Sequence, residues 1–268
     1  MSETPAAIID LRDEGAYRRA RPAGAVRLSR ADVRERAYLL PPRHQPLVLV
    51  GGTTAETDPT LASLRAAGRV VEHHPGESWR DRLPVETGPP TRDHVWQPAT
   101  VVTRAVQYRS TLAGRRAVDL ACGSGRNAVY LAGCGFDVIA IDARADALER
   151  AGDLAARHGV TIRTVQRDLE DPRSLDALSA DLVVVVRYLE RGLFPALPGI
   201  LTPGGILAYE TFSIDQAGHG HPRQERFLLQ RQELRDAFPM LERLAYEEGD
   251  FAGAYLARLL ARKPRQAR

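Results

Sequence analysis

One segment restricts the fold more than any other. Ala117 to Ala121 is a short apolar strand broken by a single acid, Asp119. It runs into Cys122-Gly123-Ser124-Gly125-Arg126-Asn127, which opens a helix from Arg126 to Ala132. Glycines let a backbone turn sharply and approach a ligand closely. The first N–H groups of the following helix are free and carry partial positive charge, which suits a carboxylate or a phosphate. A strand, a glycine loop and a helix in this order belong on a parallel sheet. Gly123-x-Gly125-x-x-Ala128 also satisfies the dinucleotide spacing G-x-G-x-x-G/A. The loop by itself therefore leaves the ligand open.

The acids around it narrow the choice. Asp119 sits four residues before the first glycine, where a carboxylate can hydrogen-bond to the loop or meet an ammonium. Beside a pyrophosphate it would repel, so a ligand with one carboxylate and one amine fits better than NAD. Asp142 ends the next expected strand, Asp137 to Ile141, where an acid can accept both hydroxyls of a ribose. The same residue could instead cap the helix expected over Ala145 to Arg157. Asp168 follows a third strand, Thr161 to Gln166, and can accept from an exocyclic amine, with Leu169 packing on the adenine ring. Amino acid, ribose and adenine together describe S-adenosyl-L-methionine.

The rest of this half continues the alternation. Asp181 to Val186 is an apolar run behind one acid, the pattern of a strand buried on both faces. A helix over Phe194 to Leu201, a turn at Pro203-Gly204-Gly205 and a strand over Ile206 to Glu210 follow. Leu241 to Glu247 and Ala254 to Ala261 then face each other across Gly249 to Gly253 as an antiparallel hairpin.

Asp119-Leu120-Ala121-Cys122-Gly123-Ser124-Gly125-Arg126-Asn127 with Tyr130-Leu131-Ala132 closely resembles the glycine loop of the tellurite-resistance methyltransferases, a subgroup similar to the thiopurine methyltransferases. Residues 96 to 264 as a whole resemble class I S-adenosylmethionine-dependent methyltransferases. The resemblance implies a Rossmann-like seven-stranded sheet with the antiparallel hairpin at its end. It also implies that Asp119, Gly123 and Gly125 hold the methionine part and that Arg126 pairs with its carboxylate. Asp142 would then take the ribose, and Asp168 with Leu169 the adenine. The expected domain spans 96–268.

The first half also reads as α/β. Strands are expected over Ala6 to Leu11, Leu47 to Val50 and Arg69 to Glu72. Helices are expected from Arg30 to Leu40, stopped by Pro41-Pro42, and from Pro59 to Ala67. Ile9-Asp10-Leu11-Arg12-Asp13-Glu14, Tyr17 and Pro22-Ala23-Gly24-Ala25-Val26 resemble the opening of a rhodanese-like domain, expected over 1–85. Sulfurtransferases of that family carry a cysteine just after the central strand. Here the loop reads Gly51-Gly52-Thr53-Thr54-Ala55-Glu56. Sulfur transfer needs a thiolate, so this domain is expected to be silent, with docking, dimerisation or covering of the second domain as its roles. Any residual anion site there is weakened by Glu56. A proline- and glycine-rich stretch, 86–95, reads as the linker.

Methyl transfer needs positioning and desolvation more than a dedicated base. The acceptor is expected near Arg187 and Tyr188, after the fourth strand. Arg187 can clamp an anion there, or simply pair with Glu190 or Glu210. The stretch Arg187-Tyr188-Leu189-Glu190 lacks the Asn/Asp-Pro-Pro-aromatic motif of amino-directed nucleic-acid methyltransferases. A small-molecule acceptor is therefore expected: an oxyanion, thiol or selenol if the subgroup resemblance holds. An RNA methyltransferase guided by the first domain, and a non-enzymatic S-adenosylmethionine sensor, are the alternatives. His219 and His221 lie in a glycine loop without further ligands. They read as a lid segment, with one as general base a remaining option, and no metal is expected.

Composition adds exclusions. Of 268 residues, 44% are hydrophobic, 26% are charged and two are cysteines, Cys122 and Cys134. A disulfide framework is excluded, and a reduced, cytoplasmic protein is expected. Met1-Ser2-Glu3-Thr4-Pro5 does not read as a secretory signal, and no apolar run reaches the ~18 to 20 residues of a membrane span. The net charge of +3 comes almost wholly from arginine, since Lys263 is the only lysine. Unclustered, it is no sign of nucleic-acid binding.

Overall fold

The computed structural model describes residues 6–43, 45–53, 58–171 and 173–265. They divide into two compact units, Met1–Gln97 and Pro98–Arg268. The expectations placed on Met1 to Pro5 and on Thr54, Ala55 and Glu56 lie outside the described residues.

The first unit contains β1 (Ala7–Asp10), β2 (Arg21–Pro22), β3 (Val26–Arg27), β4 (Leu47–Val50), β5 (Val71–His74) and β6 (Val85–Glu86). Its helices are α1 (Glu14–Arg19), α2 (Arg30–Glu35) and α3 (Pro59–Ala66). Four strands form a parallel sheet in the order β3-β1-β4-β5, and β2 pairs antiparallel with β6. Ser29 and Asp32 form a reciprocal capping box at the start of α2, which ends at Glu35, short of Pro41. The Asp58 side chain caps α3, and Pro59 occupies its first turn. Buried Asp10 takes Arg12 in a two-pronged pair at 3.0 and 2.6 Å, closing the end of β1.

Besides α2, which ends at Glu35 instead of the expected Leu40, two boundaries differ from the sequence reading. The strand expected from Arg69 starts at Val71, because the Arg69 guanidinium is drawn back to the carbonyls of Pro41 and Pro42. The segment 86–95, read as a linker, is fixed to the first unit. Glu86 accepts hydrogen bonds from Arg21, Gly24 and Thr91, and Val95 is buried in the core with Ile9 and Leu49.

The second unit is a seven-stranded sheet made of β7 (Arg116–Leu120), β8 (Asp137–Asp142), β9 (Arg163–Gln166), β10 (Ala180–Val186), β11 (Leu201–Phe212), β12 (Glu242–Phe251) and β13 (Ala254–Arg262). The order is β12-β13-β11-β10-β7-β8-β9, with β13 alone antiparallel to both of its neighbours. Its helices are α4 (Thr100–Val106), α5 (Arg126–Gly133), α6 (Ala145–Arg157), α7 (Leu197–Ile200) and α8 (Glu233–Asp236). β10 shows why the sheet is covered on both faces. Val183 and Val185 enter one apolar cluster, while Leu182 and Val184 enter the other. α6 buries Ala147, Ala151, Leu154 and Ala155 along one stripe. Its exposed side carries the pairs Asp146–Arg150 and Asp153–Arg157 at one-turn spacing.

The expected helix over Phe194 to Leu201 shrinks to the four residues of α7, since Pro195 and Pro198 remove the amides it would need. Pro203-Gly204-Gly205 is not a turn before β11 but part of it. The strand starts at Leu201 and absorbs the glycines through a register shift against β10. In the terminal hairpin the turn is only Ala252 and Gly253, both left-handed at φ 56° and 83°, and the strands run on through Gly249. No helix of the described residues is long and apolar enough to cross a membrane.

Candidate functional site

The glycine loop leaves β7 at Ala121, which adopts a left-handed φ of 55°. A side chain in that region costs roughly 1–2 kcal/mol. Gly123 and Gly125 follow at φ 54° and 77°, so three of five successive residues are left-handed. The two glycines serve different ends. A Cβ on Gly125 would stand 2.6 Å from the Ala151 Cβ, so this glycine lets α6 approach the loop. A Cβ on Gly123 would meet nothing within 4 Å, so this glycine faces open space that a ligand can use.

Asp119 is 1% exposed near the end of β7, and neither carboxylate oxygen has a hydrogen bond of ordinary distance and angle, although the Ala128 backbone N–H faces it. Burial pushes its pKa up to about 7; the Ala128 backbone N–H opposes the shift and the Asp142 charge adds to it. In the ligand-free protein the acid is therefore protonated below neutral pH. The unfolded chain ionises the same group near 3.8. Between those two pH values the folded state holds the extra proton, and the stability contributed by Asp119 is lost as pH rises toward 7. The melting temperature of the ligand-free protein should fall across pH 5–7. Asp119→Asn should flatten that slope; an unchanged slope would assign it elsewhere.

Asp142 ends β8 beside the loop. One carboxylate oxygen accepts the Gly123 N–H at 2.8 Å and the other the Arg144 N–H at 3.0 Å. It thus ties the loop to β8 and also turns the chain into α6, whose N-cap residue is Arg144. An ionised carboxylate has about four acceptor positions, so both oxygens keep capacity for ribose hydroxyls. Asp168 is exposed after β9 and accepts the Glu170 N–H at 3.0 Å. Leu169 departs from its expected place on the adenine: it is 3% exposed and packed in the core with Leu120 and Ile141. Arg126 is half-buried as the first residue of α5. Cys122 is buried with its thiol pKa pushed up by burial, which fits packing and not nucleophilic attack.

Arg187 and Tyr188 follow β10 at the same end of the sheet as the loop. Arg187 is also left-handed, at φ 59°, and its backbone N–H donates to the Glu210 carbonyl at 2.8 Å. Its Nε lies 3.4 Å from a Glu210 carboxylate oxygen, so one of the two pairings expected from sequence is formed. Sequence reasoning missed the partner that Glu210 holds more closely, Arg258 on β13, at 2.6 Å. Arg187, Tyr188 and Phe212 line a cavity of about 560 Å³. His221 lines an adjoining hollow, while His219 stacks on Tyr255 and hydrogen-bonds through Nδ1 to the Asp215 carbonyl. Among the described residues neither histidine joins a cluster of three potential metal ligands.

Residues 117–205, which contain the loop, Asp142, Asp168 and Arg187, match the methyltransferase domain family. The matched stretch lies wholly within the second unit. The curated relatives of the chain include hemagglutinin 1 of Eikenella corrodens, 30% identical over 158 residues, covering 56% of this chain and 50% of that protein. A ubiquinone biosynthesis O-methyltransferase of Methylococcus capsulatus is 29% identical over 113 residues, covering 40% and 48%. The chain thus spans about half the length of the curated relatives it matches. TehB of Haemophilus influenzae shares the fold, with a TM-score of 0.50, 22% identity and coverage of 60% of this chain and 62% of that one. S-adenosyl-L-methionine fits the residues present: Asp119 is a buried acid whose oxygens lack a hydrogen bond of ordinary geometry, and Gly123 faces open space.

Proposed function

We propose that the chain is an S-adenosyl-L-methionine-dependent methyltransferase acting on a small-molecule acceptor. The observation that carries this reading is Asp119, a buried carboxylate without a hydrogen bond of ordinary geometry, directly before a glycine loop that Asp142 holds. A buried acid left without a hydrogen bond is costly unless a ligand supplies one. An ammonium supplies both donors and charge. Asp119 would take the amine of the methionine part and Arg126 its carboxylate; Asp142 would take the ribose and Asp168 the adenine amine.

Bound S-adenosyl-L-methionine supplies an electrophilic methyl group. Held by Asp119, Arg126, Asp142 and Asp168, it would pass that methyl group to the acceptor's nucleophile and leave as S-adenosylhomocysteine. The chain's part is to hold donor and acceptor in line and keep water away. Arg187 and Tyr188, directly after β10, would meet the acceptor in the cavity they line. The first unit, with its parallel sheet and no cysteine, is assigned as a rhodanese-like domain without sulfurtransferase activity.

The test is transfer of a labelled methyl group from S-adenosyl-L-methionine to thiols, selenite, aromatic acids and RNA. The expected result is transfer to a small molecule and none to RNA. Transfer to RNA alone would overturn the acceptor class.

A further inference from the structure

The cavity beside Arg187 has a size and a polarity that say more about the acceptor. It measures about 560 Å³ and shares Phe212, Pro222 and Phe227 with an adjoining hollow of about 470 Å³. That is the range of sites for drug-sized organic ligands. An inorganic oxyanion or a methanethiol-sized acceptor would fill a small part of it and leave water beside the transferring methyl group.

The cavity lining carries both signs of charge. Glu170 and Glu190 are its acids. Together with Asp168 and Asp142 on the loop side they oppose ionisation of Tyr188, whose hydroxyl is held up to about 12, chiefly by burial. Acidic side chains suit the positive sulfonium of the donor. Two arginines line the cavity as well: Arg226, 4.5 Å from the centre of the Phe227 ring, and, directly after β10, Arg187. Its guanidinium lies 4.4 Å from the centre of the Phe212 ring. Glu210 does not cancel it, because Glu210 sits closer to Arg258, at 2.6 Å against 3.4 Å. Arg258 in turn lies 3.9 Å from Glu247, and Glu247 lies 2.7 Å from Arg104. This ladder alternates three arginines with two glutamates, so one positive charge is left over. The arginine at its cavity end is Arg187, with a side chain 38% exposed.

Aromatic surface completes the picture. Phe227 is 41% exposed, although large hydrophobic side chains are otherwise well covered in this unit apart from Met240. With Phe212 it borders both hollows. Exposed rings around a cavity of this size offer a planar apolar ligand a stacking surface.

Resting on the methyltransferase reading above, we propose that the acceptor is an aromatic carboxylic acid, not an inorganic oxyanion. Its carboxylate pairs with Arg187 and Arg226, its ring packs against Phe212 and Phe227, and its nucleophile points toward the donor. Glu210 and Arg258 are positioning residues that fix the Arg187 guanidinium.

Calorimetry on the full chain tests this in two steps. Titration with S-adenosylhomocysteine comes first; no binding there overturns the cofactor reading itself. The chain loaded with S-adenosylhomocysteine is then titrated with 2-naphthoate, with its neutral counterpart 2-naphthamide and with sodium selenite. The expected result is naphthoate binding at least tenfold tighter than naphthamide, with no selenite binding. Phe227→Ala, at an exposed position, should weaken both ring compounds by the same factor; Arg187→Gln should reduce the preference for the acid, and Arg187→Gln combined with Arg226→Gln should remove it. Equal binding of acid and amide to the unaltered chain overturns the carboxylate assignment. Selenite binding in place of naphthoate overturns the proposal as a whole.

Discussion

Replacing Asp142 with alanine should weaken S-adenosylhomocysteine binding about 100-fold, read by titration calorimetry. Two losses combine. The carboxylate disappears as acceptor for the ribose hydroxyls, and hydrogen bonds to a charged group contribute about 1.5–3 kcal/mol each. The Gly123 N–H also loses its tie to β8, now 2.8 Å long, so the loop no longer holds one shape before the ligand arrives. A 100-fold loss corresponds to about 2.7 kcal/mol, within reach of either loss alone. Asp142→Asn keeps one acceptor oxygen and should fall between the two. Binding by the alanine variant that matches the unaltered chain would remove Asp142 from the site.

Gly125→Ala should lower stability by about 2–5 kcal/mol. The left-handed backbone costs an alanine roughly 1–2 kcal/mol, and overpacking a tight contact about 1–3 kcal/mol. Here the obstructing atoms are the Cβ and Cα of Ala151, at 2.6 and 3.0 Å, which a rotamer change cannot move. For a unit of this size the melting temperature should drop by roughly 5–15 °C. Gly123→Ala is the matched control, since its Cβ meets nothing within 4 Å. It should carry only the conformational cost while intruding on the ligand's space. A stability loss as large at Gly123 as at Gly125 would mean that contact with α6 is not the cause.

Much of the architecture could be read from local pattern. The apolar run of β10, the glycine loop and the acids at the ends of β8 and β9 announce themselves within a few residues. The failures share one cause, which is partners distant in sequence. Gly204 and Gly205 look like a turn until β10 and β13 are in place on either side to hold β11 straight. Gly249 looks like a breaker until β13 pairs with it through Leu256. The stretch 86–95 looks free because its anchors are Arg21, Gly24 and a core pocket for Val95. The site divides in the same way. Asp119, Asp142 and the two glycines are legible, whereas the Arg187–Glu210–Arg258 ladder crosses three strands and appears only once the sheet order is known. Leu169 misled because an apolar residue after a ribose-side strand looks the same whether it faces a ligand or the core.

The antiparallel position of β13 also bears on how the protein is made. β13 fills the slot between β11 and β12, so the flank of β11 turned away from β10 stays bare until residues 254–262 have been synthesised. β11 is long and largely apolar, with eight of its backbone positions from Gly204 to Thr211 buried in the finished sheet. A nascent chain therefore displays an open apolar strand edge until β13 has followed β12, the kind of surface that invites association between unfinished chains. Completing the terminal hairpin closes that edge and leaves the outer flank to β12, whose glutamates, arginine and aspartate make it a poor template for pairing.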